Sequence, residues 1–249
     1  MLCKPSEVQK VDKIGLLEEI LKKLNISIDE DQKSKFAKYY SFLLEKNKVM
    51  NLTRITDEEE IIIKHFADSL MISKVVDMEK VESLIDIGTG AGFPGIPIKI
   101  IWPEIKVTLL DSLEKRVGFL KEVIEELELE DIEAAHGRAE DFGQDVNYRE
   151  NFGLCVSRAV ADLSVLSEYC IPFVKENGEF VSYKADGSEE EIHNAKKAIE
   201  IMGGNLERIA TEQIPGTDIN RQFAVIRKIE KTDSKYPRKA GKPSKKPLK

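Results

Sequence analysis

The sequence predicts an α/β fold. It reads as a Rossmann-like, doubly wound parallel sheet closed by a C-terminal antiparallel hairpin and preceded by a helical extension. Three observations predict this. The turn Gly88-Thr-Gly-Ala-Gly-Phe-Pro-Gly95 follows a short apolar run that ends at Ile87. Glycine brings no Cβ and accepts positive φ, so such a turn can reverse sharply and let a ligand lie against the backbone. From Val81 onward, strand-like and helix-like segments alternate, the pattern of parallel strands joined by crossover helices. The last two apolar runs, 206–214 and 222–229, have no helix between them, and Pro215-Gly-Thr-Asp-Ile-Asn220 reads as a hairpin loop.

The elements follow in order. Residues 11–24 read as a helix with Ile14, Leu17, Ile20, Leu21 and Leu24 on one face. Ser27-Ile-Asp-Glu30 has capping-box spacing and opens a second helix, whose apolar stripe is Phe36, Tyr39, Tyr40, Leu43 and Leu44. Those aromatics read as core. Residues 47–53 break the period and read as a loop. Thr56-Asp-Glu-Glu59 repeats the capping pattern before a helix carrying Ile61, Ile62, Lys64, His65, Phe66 and Leu70. His65 and Asp68 lie three apart and are expected to hydrogen-bond on one helix face. Strands are expected to end at Ile87, Leu110, Ala135, Ser157 and Tyr183, the third being the weakest, with helices after each and a single helix over 189–202. Pro94 and Pro97 fall in the first turn of the helix after the glycines, where a missing N–H costs nothing. The division is a helical extension over 1–75, a Rossmann-like domain over 76–230 and a tail over 231–249.

Composition bounds the function. At 249 residues and 41% apolar content the chain can bury a sizeable core. It shows no secretion signal and no apolar run long enough for a membrane span, so a cytoplasmic location is expected. Cys3, Cys155 and Cys170 are odd in number and lack C-x-x-C spacing, which argues against a disulfide framework and a zinc site. The net charge of −7 is uneven: eight Lys/Arg and one Asp after Glu230 leave the body near −14. Rich in Lys, Pro, Ser and Gly, the tail is expected to be disordered, either a non-specific nucleic-acid arm or a solvated end.

Two ligands suit the glycine turn. Gly90-Ala-Gly92-Phe-Pro-Gly95 fits the dinucleotide pattern G-x-G-x-x-G. Asp86-x-Gly88-x-Gly90-x-Gly92 resembles motif I of class I S-adenosylmethionine-dependent methyltransferases. A pyrophosphate wants bare N–H groups and no anion beside it. A sulfonium and an amine suit Asp86, directly or through water. Asp111 ends the next strand, where a carboxylate can accept from a ribose diol. An antiparallel hairpin in place of a second nucleotide-binding half favours the methyltransferase reading.

The acceptor is narrowed by exclusion. Methylating carbon 5 of a pyrimidine needs a Cys nucleophile, and Cys155 and Cys170 read as core. Exocyclic amines call for an Asn/Asp-Pro-Pro-aromatic turn after the fourth strand, where this chain has Ser157-Arg158-Ala159. Metal-assisted O-methylation needs clustered carboxylates, and no set stands out. A ring nitrogen with a free lone pair needs only in-line positioning.

The run Leu84-Ile-Asp-Ile-Gly-Thr-Gly-Ala-Gly-Phe-Pro-Gly-Ile-Pro97 closely resembles the bacterial ribosomal RNA small subunit methyltransferase G family, also called glucose-inhibited division protein B. So do Leu109-Leu-Asp-Ser-Leu-Glu-Lys-Arg116, Val156-Ser-Arg-Ala159, Asn51-Leu-Thr53 and His65-Phe-Ala-Asp-Ser69, and the likeness spans roughly residues 11–229. The resemblance implies methylation of guanine N7 in 16S ribosomal RNA, alone or in the small ribosomal subunit, with S-adenosylmethionine as cofactor and no metal. It places cofactor contacts on Gly88, Phe93, Ala139, Glu140 and Arg158; Asp111 is added from the fold. No catalytic residue beyond positioning is identified, and a monomer is the working expectation. A small-molecule methyltransferase and a dinucleotide-dependent oxidoreductase are the alternatives. A basic zone for RNA is expected from Lys46, Lys48, Arg54 and Lys64 with Lys115 and Arg116, and Lys184 is either a phosphate contact or a surface lysine.

Overall fold

The computed structural model describes residues 13–248. Cys3 and Val11 lie outside the described residues. The N-terminal part holds α1 (Lys13–Lys23), α2 (Glu30–Met50), α3 (Glu58–Ile61), a π-helical stretch (Ile62–Ala67) and α4 (Asp68–Leu70). Next come β1 (Ser83–Ile87), α5 (Gly95–Ile101), β2 (Lys106–Asp111), α6 (Glu114–Glu126), β3 (Ile132–His136) and α7 (Ala139–Phe142). The second half holds β4 (Phe152–Arg158), α8 (Leu163–Cys170), β5 (Val174–Ala185), α9 (Glu189–Asn194) and α10 (Lys196–Ile201). It closes with β6 (Gly204–Gln213), β7 (Asn220–Lys228) and α11 (Lys242–Lys245).

One seven-stranded sheet runs β3-β2-β1-β4-β5-β7-β6. β1 to β5 are parallel, and β7 is antiparallel to both β5 and β6. The chain steps outward in opposite directions from β1 and β4. Their carboxyl ends therefore border the crevice where open α/β sheets place ligands.

Strand alternation sorts side chains to two faces. Leu84, Leu109, Leu154, Val156, Val181, Phe223 and Val225 join one core with α1, α2, α5 and α6. Ile85, Leu110, Cys155, Phe180, Ala224 and Ile226 join the other with α8, α9 and α10. The helical extension thus shares its core with one face of the sheet: Leu17, Phe36 and Phe66 are fully buried in the same cluster as Leu84. Gln32 joins the two parts. Its Oε1 accepts from Asp29 N at 3.0 Å, and its Nε2 donates to Ile100 O and Ile101 O at the end of α5.

Several elements differ from expectation. The first cap is Asp29 with Gln32 rather than Ser27 with Glu30, and the next is Asp57, which accepts from Glu60 N. α2 runs on to Met50, with Asn51 as a left-handed cap at φ 51. Within the expected loop, Asn47 instead folds the chain back, exchanging two hydrogen bonds with the Thr53 backbone at 2.9 and 3.0 Å. Residues 189–202 form two short helices, not one.

The tail expected to be disordered is a docked strap. Arg149 donates to the carbonyls of Thr232, Asp233 and Tyr236 at 2.6–3.3 Å. Arg238 forks onto Glu168, at 2.7 Å from Nη2 and 2.9 Å from Nε. Pro237 and Pro243 are buried, and Tyr236 and Leu248 pack on the second core. Composition misled because the groups that fix the strap stand mainly on the body: an arginine satisfies its carbonyls and a buried acid meets its arginine.

Candidate active site

The glycine turn links the ends of β1 and β2. Gly88, Gly90 and Gly92 have φ of 72°, 65° and 100°, which a side chain would strain. Six of its N–H groups, those of Gly88, Thr89, Gly90, Gly92, Phe93 and Gly95, are engaged inside the protein. Gly88 N donates to Leu110 O at 2.8 Å, Gly92 N and Phe93 N donate to Thr89 O at 3.0 Å, and Gly95 N donates to Asp86 Oδ2 at 2.9 Å. Gly90 N donates to Asp111 Oδ2 at 3.0 Å. Two carboxylates thus stand where a dinucleotide site presents bare N–H groups to a pyrophosphate. Such an arrangement disfavours a pyrophosphate at the turn.

Asp86 is fully buried beneath the turn. Burial pushes its carboxyl up to about 6, against the hydrogen bonds from Thr89 and Gly95 that favour the charged form. Its Oδ1 has no hydrogen-bond partner among the described residues. Asp86 therefore acts on the site through the turn it braces. Asp111, 3% exposed, also accepts from Leu113 N at 2.9 Å and from Arg116 Nη1 at 3.3 Å.

A cleft of about 140 Å³ opens at this edge, lined by Gly88, Ser112, Ala139, Glu140, Val160 and Tyr169 among others. Val160 leans over the turn: a Cβ on Gly88 would stand 2.5 Å from its Cγ2. Glu140 is 6% exposed and accepts from Gly241 N in the strap at 2.8 Å. Ser157 Oγ donates to Ile87 O at 2.9 Å and so ties the end of β4 to that of β1.

Beside the cleft, Arg158 sits in a fixed cluster. Its Nη1 donates to Asp68 Oδ2 at 2.5 Å and to Lys64 O at 3.2 Å, and its guanidinium lies 5.3 Å from the Phe93 ring centre. Asp68, 1% exposed, uses its other oxygen for Arg221 Nε at 2.5 Å. His65 stacks on Phe93 with centroids 4.6 Å apart, bonds Thr53 Oγ1 through Nε2 at 2.8 Å and turns Nδ1 to Arg158 Nη2 at 3.4 Å. Burial, then the Arg158 charge, lower its pKa to about 4, so the ring is neutral and Nδ1 accepts. The expected His65–Asp68 hydrogen bond is replaced by Thr53 and Arg158 contacts for His65 and a pair of arginines for Asp68. The two side chains still converge, but on Arg158, whose guanidinium lies between them and donates a hydrogen bond to each.

The structure gathers Gly88, Ala139 and Glu140 around the cleft, with Asp111 behind it. It sets Phe93 and Arg158 in the adjoining cluster. The Phe93 ring is 6% exposed, with His65 stacked at 4.6 Å and Tyr39 at 5.4 Å, so it carries Arg158 rather than lining the cleft. Lys184 is neither a phosphate contact nor a surface residue: it is buried and donates to Ala161 O at 2.8 Å and Glu191 Oε1 at 2.6 Å. Arg221, Val160 and Tyr169 were not singled out from the sequence. Arg221 had a signal, since an antiparallel strand begins at the edge where its parallel neighbour ends, and Arg221 pairs with Ala185. Among the described residues no cluster of His, Cys, Asp or Glu could hold a metal, and no helix is long and apolar enough to cross a membrane.

Comparison with solved structures gives the same architecture. The chain superposes on fibrillarin from Aeropyrum pernix, determined with natively bound S-adenosyl-L-methionine, at a TM-score of 0.51 and 11% identity over 64% of this chain and 73% of that one. The ribosomal protein L11 methylase of Lactobacillus delbrueckii subsp. bulgaricus matches at 0.50 and 16% identity over 71% and 81%. These show the class I methyltransferase fold. In sequence, the chain is 55% identical to the ribosomal RNA small subunit methyltransferase G of Acetivibrio thermocellus over 90% of this chain and 91% of that protein. It is 50% identical to the protein of the same name in Desulforamulus reducens over 93% and 97%. Residues 32–220 match the family described as rRNA small subunit methyltransferase G. With that match over most of its length, the chain belongs to the rRNA small subunit methyltransferase G family.

Proposed function

We infer that this chain methylates N7 of a guanine in 16S ribosomal RNA, with S-adenosylmethionine as the methyl donor. The observation that carries the reading is the glycine turn itself. Six of its N–H groups are engaged internally and two carboxylates brace it, which supports a cationic cofactor over a dinucleotide. The donor supplies an electrophilic methyl group on a sulfonium.

The chain's own residues bind and orient. Gly88, lacking a Cβ, leaves room under Val160. Asp111 at the end of β2 can accept from a ribose hydroxyl while keeping its bond to Gly90 N. Ala139 and Glu140, at the start of α7, line the cleft, which supports a role for them against the adenine ring. Phe93 carries Arg158 on its face, and Asp68 fixes that guanidinium from the other side. Arg158 has five N–H groups and uses three on Lys64, Asp68 and His65. The remaining two can serve a carboxylate of the cofactor or the O6 of a guanine, whose O6 and N7 lie side by side.

N7 keeps its lone pair at neutral pH, so the reaction asks for no general base and no protein nucleophile. Cys155 and Cys170 are buried in the second core, away from such a role. Orientation of the base in line with the methyl group supplies the rate.

The test is methyl transfer from labelled S-adenosylmethionine to small subunits from a strain lacking this gene, with the product base identified by mass spectrometry. Label at guanine N7 is expected. Absence of label on subunits and on naked 16S RNA, with S-adenosylhomocysteine bound tightly, would leave the fold and remove the ribosomal substrate.

A further inference from the structure

We propose that the docked C-terminal strap forms a fixed basic shelf at the rim of the cleft, which binds the phosphate backbone of the RNA substrate. The proposal rests on the RNA reading above and adds where the RNA is held.

Three observations carry it. The first is place. Gly241 N donates to Glu140 Oε1 at 2.8 Å, and both Glu140 and Tyr169 line the cleft. The strap therefore borders the site. The second is rigidity. Arg238 is forked onto fully buried Glu168, and its Nη2 also donates to Lys246 O at 2.9 Å. Gly143 and Pro237 are packed so closely that a Cβ on the glycine would stand 2.8 Å from the proline Cγ. Charges on such a strap are presented without the ordering cost a free tail would pay on binding.

The third is charge. Lys239, Lys242, Lys245 and Lys246 are exposed and have no acidic partner among the described residues. Lys242 and Lys245 lie three apart on the turn of α11 and share a face. The rest of the chain carries about −14, which repels RNA. Half of the other expected basic groups are already neutralised: Lys46 pairs with Glu122, Lys64 with Glu60 and Arg116 with Asp111. The anchors are not part of the shelf: Arg149 on the body is engaged with strap carbonyls, and Arg238 on the strap with Glu168 of the body.

The experiment uses the full chain and the variant K239Q/K242Q/K245Q/K246Q. Binding to a fluorescently labelled 16S ribosomal RNA transcript is followed by anisotropy at several salt concentrations, with S-adenosylhomocysteine affinity and melting temperature measured alongside. Each phosphate contact on single-stranded RNA contributes about 0.7 to the slope of log K against log salt. The variant is expected to lose about 3 from that slope and to bind roughly tenfold or more weakly at 0.1 M salt. Its cofactor affinity and melting temperature should match the parent chain. An unchanged RNA affinity and slope overturn the shelf, and so does a parallel loss of cofactor binding and stability, which would make the lysines structural. Normal N7 labelling by the parent chain with no effect of the variant removes the shelf and keeps the function. Salt-dependent binding through the shelf without methyl transfer does the reverse.

Discussion

Asp68 and Arg158 stand 90 residues apart in sequence, yet the carboxylate Oδ2 accepts from Arg158 Nη1 at 2.5 Å. The same carboxylate holds Arg221 through Oδ1. One buried acid thus joins the helical extension to the ends of β4 and β7, at the edge where the cleft lies. The extension also helps to fix Arg158, since its π-helical stretch supplies Lys64 O and His65 as partners.

Asp68→Ala is therefore expected to lower both stability and turnover. Removing one partner of a buried pair leaves charge without compensation, at about 3–5 kcal/mol. The lower end applies, because Arg158 and Arg221 keep 13% and 20% side-chain exposure. For a chain of this size that is a drop of roughly 6–12 °C in Tm. At a temperature where the variant is folded, kcat for methyl transfer should fall about tenfold or more, a loss of roughly 1.4 kcal/mol in transition-state positioning. A variant that melts early but turns over normally would show that Asp68 serves the fold alone.

The legible parts of the molecule were those whose signal is local. The glycine turn, the strand ends and the terminal hairpin follow from glycine, period and turn chemistry, and β7 between β5 and β6 confirms the antiparallel ending. Gly88, Ala139 and Glu140 stand together because each follows the carboxyl end of a parallel strand. What sequence could not supply was pairing across the fold. The Asp68–Arg221 contact spans 153 positions, and a helical wheel drawn for an α-helix assigned Asp68 to His65 instead. The strap failed for the same reason. Its own residues are poor in apolar area, while Arg149 and Glu168, which fix it, lie more than 60 positions earlier.

Gly88→Ala tests the cradle. At φ 72° an alanine is strained by about 1–2 kcal/mol, and its Cβ would meet Val160 Cγ2 at 2.5 Å. Val160 is 40% exposed and can move away, so the fold should survive. S-adenosylhomocysteine affinity by calorimetry is expected to weaken at least about tenfold, the equivalent of ~1.4 kcal/mol. Equal affinity would mean that Gly88 serves only the turn.

His65 makes a prediction about acid. Its pKa in the folded chain is about 4, against an ordinary 6.5. The unfolded chain takes up the proton first, so the stabilisation from a neutral, stacked His65 is complete above pH 6.5 and is lost as pH falls toward 4. Its full size is about 3 kcal/mol. Urea unfolding of the parent chain and His65→Gln at pH 7, 6 and 5 checks this. The parent should lose up to about 2 kcal/mol more than the variant on going from pH 7 to 5. Parallel pH profiles would count against a buried neutral imidazole.

Arg238 and Glu168 separate anchoring from binding in the strap. Glu168 is fully buried on α8, and Arg238 reaches it with its backbone N, Nε and Nη2. Arg238→Met leaves the acid with one backbone donor and is expected to cost about 3 kcal/mol, measured by urea unfolding. Glu168→Gln alone should cost less, because an amide can keep the Arg238 backbone bond. The double variant should recover part of the Arg238→Met loss, since it removes the buried charge along with its partner. Loosening the strap also frees Glu140 from Gly241, so S-adenosylhomocysteine binding should weaken a few-fold in Arg238→Met and recover with the double variant. Additive losses in the cycle would show that the two side chains do not act as a pair. Unaltered cofactor affinity in a destabilised Arg238→Met would confine the strap's anchor to stability and detach it from the cleft.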